Sequence, residues 1–182
     1  MLSRPAATLA VGALLLSGCS GGSDPGPSTL PTLSSTPTPT ATLAPIPPAA
    51  TALTPQGADA FVRYFFDQMN VAFRTSNASL IDALSTPACT TCNNYEKALE
   101  AAKQKGHFLS GPSFAITAVA ASPPDARGST ADVIGKIPAR DSVDAAGKVL
   151  AHLGAQPRFY FLVTVIRRDG SWVVDDIARG NS

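Results

Sequence analysis

Between residues 20 and 53 the chain carries eight of its 16 prolines, scattered among Ser, Thr, Ala and Gly, with Asp24 as the one charge. Proline fixes φ and has no N–H to donate, so neither a helix nor an interior strand propagates through such a stretch. Its apolar surface is too small to offset the entropy of ordering it. Residues 19–53 therefore read as a disordered, semi-extended tether with much polyproline II, reaching on the order of 100 Å when drawn out. A core has to come from residues 54–182. That is about 130 residues, enough to bury one without help from a metal.

The N-terminus reads as an address. Arg4 supplies a positive charge, and residues 6–16 are almost wholly apolar. This run is about half the roughly 20 residues that a membrane span needs, so residues 1–18 fit a signal peptide. Leu16-Ser17-Gly18-Cys19 closes the run. These four residues resemble the lipobox of bacterial lipoproteins. The resemblance implies a diacylglycerol on the Cys19 thiol and cleavage just before it. Two acyl chains hold a protein where one holds marginally. The implied location is the outer face of the cell membrane, with the membrane itself as a partner through the anchor.

With a net charge of +1 and a pI near 7.7, the chain lacks the basic field of a nucleic-acid binder. Thr54-Pro55 caps and opens a helix. Ala58, Phe61, Val62, Phe65, Met69, Ala72 and Phe73 then follow at spacings of three and four, which predicts one apolar face ending near Thr75. A short helix is expected over 78–84, capped by Asn77, and a third over 92–105, stopped by Gly106. Strands are expected over 114–121, 131–139, 158–167 and 172–177. Residues 141–152 read as short strands around an Asp144–Gly147 turn. Asp169-Gly170 reads as a hairpin turn. The stretch 158–167 is apolar on both faces and belongs in the middle of a sheet. The fold class is α+β, with N-terminal helices packed on a curved antiparallel sheet.

That order, closed by Trp172-Val173-Val174, resembles the nuclear transport factor 2-like cone fold. More specifically, Gly57-Ala58-Asp59-Ala60-Phe61-Val62-Arg63-Tyr64, Leu84-Ser85 and Cys89-x-x-Cys92 look like a family of actinobacterial lipoproteins that carries a domain of unknown function. The resemblance implies a cavity between the first helix and the sheet, lined by Phe61, Tyr64, Phe65, Phe159 and Phe161. Asp176 is the candidate ionisable group for that cavity, while a solvated strand end or a salt bridge with Arg179 is the preferred reading of Asp175-Asp176. Tyr95 and Tyr160 are expected at core or rim. By the same analogy the outer sheet face allows a homodimer.

Setting Cys19 aside for lipid leaves Cys89 and Cys92, an even pair in an oxidising location. A structural disulfide is the preferred reading and a redox dithiol beside a helix N-terminus the alternative. His107 and His152 are too far apart in sequence for a zinc-finger or ribbon spacing, and no metal or other cofactor is expected. No nucleophile elbow, metalloprotease helix or phosphate-binding loop occurs in the sequence, and no catalytic residue is assigned. The function expected is a non-catalytic domain binding an envelope protein or a small apolar ligand. The alternatives are a cone-fold hydratase or isomerase and, behind it, a thiol–disulfide protein.

Overall fold

The computed structural model describes residues 41–180. Helix α1 spans Pro55–Thr75. The Thr54 hydroxyl accepts the Gly57 N–H at 3.0 Å, as the cap predicts, and Ser76 ends the helix in the left-handed conformation. Its buried face carries Phe61, Val62, Phe65, Phe66, Met69 and Ala72. Helix α2 is a single turn, Ser79–Asp82, shorter than the 78–84 expected. Helix α3 spans Thr90–Gln104. It starts two residues earlier than expected because the Cys89 sulfur accepts the Cys92 N–H. Gly106, at φ +64°, breaks it at the expected place.

Seven strands follow: β1 His107–Leu109, β2 Ala115–Ala121, β3 Ser129–Ile137, β4 Arg140–Asp144, β5 Val149–Leu153, β6 Gln156–Arg168 and β7 Ser171–Arg179. Three residues are too few for a period to show, and β1 occupies what reads as a loop around His107. All strand pairs are antiparallel, in a four-stranded sheet β2-β3-β6-β7 and a three-stranded sheet β1-β4-β5. The doubly apolar β6 is interior, as expected. One face of the larger sheet presents Ala131, Val133, Phe161, Val163, Val165, Trp172 and Val174 to the core that α1 fills. The edge of β7 is capped at Val174, whose N–H donates to Leu84 O and whose carbonyl accepts from Thr86 N. A covered edge offers no template for a foreign strand. The α+β arrangement with helices N-terminal to the sheet is thus present.

The lower end of the expected tether is not free. Residues 41–53 lie against the domain as a strap, running antiparallel to α1. Asn77 Nδ2 donates to Ala41 O at 2.8 Å. Ala44 is held twice, its N–H by Gln68 Oε1 and its carbonyl by the Tyr64 hydroxyl. A 3-10 turn, Pro48–Thr51, buries Ala50, and the Trp172 indole N–H reaches Ala52 O at 3.0 Å. Leu43 and Ile46 pack on the core. Gly57 is required here, because a Cβ on it would lie 2.0 Å from Ala52 O. Prolines cannot pair in a sheet, but the strap's carbonyls need only donors, and α1 and β7 supply them. The remainder of the expected tether, the signal peptide and Cys19 fall outside the described residues.

Candidate functional site

The expected cavity beneath α1 is closed. Phe61 and Phe65 are fully buried among packed neighbours, and Tyr64 is buried with its hydroxyl spent on the strap. Asp176 does not face the core either. In β7, Ile177 pairs with Val163 and Val174 pairs with Val165, so Asp175 is an extra residue on the strand. This bulge resets the alternation. Without it Asp176 would follow Trp172 and Val174 inward; with it Ile177 points in and Asp176 lies exposed opposite Thr164. The bulged Asp175 carboxylate accepts the Thr86 hydroxyl at 2.6 Å.

The space is instead at the end of the sheet, where β6 begins and β7 finishes. A cavity of about 410 Å3 opens there, lined by Thr91, Tyr95, Ile137, Gln156, Arg158, Phe159, Tyr160, Phe161, Ile177, Arg179 and Gly180. Of the aromatic residues expected to line the cavity, Phe159 and Phe161 reach it, and Phe61, Tyr64 and Phe65 do not. The Phe161 ring stacks with Phe159 at 4.6 Å, and Phe114 closes behind them edge-on to both. Gly135 makes room for this pair, since a Cβ there would lie 2.6 Å from the Phe159 ring. From α3, Thr91 donates its hydroxyl to Ile177 O at 2.8 Å, joining helix to strand end.

Three features set the chemistry of this wall. Burial pushes the Tyr95 hydroxyl above its usual range, with the Arg179 cation pulling it back less strongly. Tyr160 donates to Asp132, away from the lining. Arg158 and Arg179 are exposed, and among the described residues neither guanidinium has a hydrogen-bond or ion-pair partner. Among the described residues, no Asp, Glu or His lines the cavity. Two of the tyrosines expected at core or rim therefore belong to the site. Arg158, Arg179 and Gln156 carry no sequence signal, because strand-end residues follow no period.

Cys89 and Cys92 form a disulfide, with S–S 2.00 Å and Cα–Cα 5.2 Å. Both are fully buried, which suits a staple at the start of α3 better than exchange with a partner thiol. The described residues contain no group of three or more His, Cys, Asp or Glu placed to hold a metal. His152 Nδ1 meets Asp141 Oδ1 at 2.7 Å on exposed strands. Ser110 Oγ accepts the Asp141 backbone N–H, and the Ser110 N–H donates to Asp141 O. No described helix is long and apolar enough to cross a membrane.

Among solved structures, the intermembrane space region of the chloroplast protein ARC6 is similar in fold, with a TM-score of 0.54 at 8% identity, covering 70% of this chain and 97% of that one. Aln2 from a Streptomyces species gives 0.43 at 15% identity, covering 65% of this chain and 87% of its own. A protein named Rd1NTF2_05 gives 0.37 at 12%, with 66% and 96% covered. At such identities the likeness extends to the fold alone. No curated protein matches this chain. The profile described as "Family of unknown function (DUF6318)" matches residues 36–177, and the chain belongs to that family.

Proposed function

We propose that this is a lipoprotein of the actinobacterial kind, held by a lipid on Cys19 at the outer face of the cell membrane, whose domain binds a ligand without transforming it. The observation that carries this reading is the cavity at the end of β6 and β7, which is roomy and aromatic yet has no carboxylate or imidazole in its lining. A ligand site asks for apolar walls with a few polar groups. A reaction asks in addition for an acid and a base poised near working pH. The hydroxyl best placed to serve, Tyr95, is shifted upward by burial and away from that range.

The test uses the full chain expressed in its envelope. Wild type should enter the membrane fraction and, once solubilised, release a small molecule on organic extraction. Cys19→Ala should leave the membrane fraction. Ile137→Trp, which fills the cavity, should release far less of the molecule. Equal yields from wild type and a folded Ile137→Trp variant would remove the cavity from the reading. Turnover of the extracted molecule, lost in Tyr95→Phe, would replace binding by catalysis.

A further inference from the structure

We infer that the ligand is an organic anion, an apolar or aromatic body ending in a carboxylate or sulfonate-like group, held body-first in the cavity with its charge against Arg158 and Arg179. This rests on the binding reading above and names the class of molecule the site accepts. The argument is one of matched and unmatched charge. The cavity lining includes the stacked pair Phe159 and Phe161, 5% and 8% exposed, and the little that they expose asks for apolar surface. The lining includes Arg158 of β6 and Arg179 of β7, so two arginines from different strands border one opening. Among the described residues, no acidic side chain lies in the lining to neutralise them. Surface arginines commonly sit beside carboxylates; among the described residues neither of these has one within ion-pair distance. Asp175 takes the Thr86 hydroxyl, Asp132 takes the Tyr160 hydroxyl, and Asp176 is turned to the opposite face by the bulge.

A cation would meet two like charges at this mouth, and a neutral apolar molecule would leave both guanidinium groups unused. An anion satisfies the fork geometry of arginine while its body displaces water from the aromatic floor. The half-buried Tyr95, close enough to feel Arg179, brings a further hydroxyl to the lining.

The decisive comparison uses two fluorescent probes that share one body, anilinonaphthalene sulfonate and its uncharged counterpart phenylnaphthylamine, titrated into the full chain. The sulfonate should bind about tenfold more tightly, as expected for a charge-assisted contact at an exposed rim. That preference should shrink with added salt. In an Arg158→Gln/Arg179→Gln variant the ratio of the two affinities should fall to near unity. Equal affinities in wild type, with both probes expelled by Ile137→Trp, would overturn the anion inference and leave the cavity as a plain apolar site. Binding of neither probe, or binding indifferent to a cavity-filling variant, would overturn the site itself. Gln156→Trp, at the exposed rim, replaces Ile137→Trp if the latter fails to fold.

Discussion

Asp175 is one residue more than the β6–β7 ladder has room for, and that surplus decides which acid faces the core. Strict alternation from Trp172 and Val174 would turn Asp176 inward; the bulge, which leaves no trace in the alternation itself, turns it out to solvent, the solvated strand end preferred from the sequence. The hydroxyl that holds the bulged side chain, on Thr86, lies 89 residues away in sequence, beyond the reach of local pattern. Thr86 is 7% exposed, so its loss cannot be made good by water. Thr86→Val should therefore cost about 1.5–3 kcal/mol in urea unfolding, the range for a hydrogen bond to a charged acceptor. Asp176→Asn, on the outer face, should stay within about 0.5 kcal/mol. A larger loss from Asp176→Asn than from Thr86→Val would contradict the register.

Among the elements, the most legible are those whose identity is local. Thr54-Pro55 and the Phe61, Phe65, Met69 spacing place α1 to the residue, and the doubly apolar β6 sits inside the larger sheet. Less legible is where elements leave space, because that depends on how strand ends splay. The aromatic residues nearest the predicted cavity, Phe61 and Phe65, fill the deep layer, while Phe159 and Phe161 line the opening. Helix α3 shows how a local motif acts on that opening. Its disulfide closes a four-residue loop that contains Thr91, the residue tied to Ile177 O. A loop so short contributes about 2 kcal/mol by chain entropy. Replacing both cysteines by Ser should lower stability by about that amount. In native protein, mild reductant followed by thiol labelling should give no signal, whereas the same treatment after unfolding should label both sulfurs. Ready labelling of the native protein would revive the redox alternative.

For the molecule as a whole, the boundary between tether and domain falls about a dozen residues earlier than composition implies. Proline content correctly rules out helix and sheet over residues 41–53, yet it is silent about docking, which depends on Gln68, Asn77 and Trp172. A chain beginning at residue 54 should be about 3 kcal/mol less stable than one beginning at residue 41, from the lost burial of Leu43, Ile46 and Ala50. Its Trp172 emission should shift to the red as the indole loses its cover. Unchanged stability and emission would mean that the strap contributes nothing. The direction in which the strap runs also has a mechanical consequence. A pull on the chain ahead of Ala41 loads the Asn77 contact, then the pair at Ala44, then the Trp172 contact at Ala52, one after another. Each release pays out slack, up to about 40 Å over these residues, before any load reaches the sheet. The strap is thus placed to act as a fuse, yielding in small steps under tension while the cavity keeps its shape.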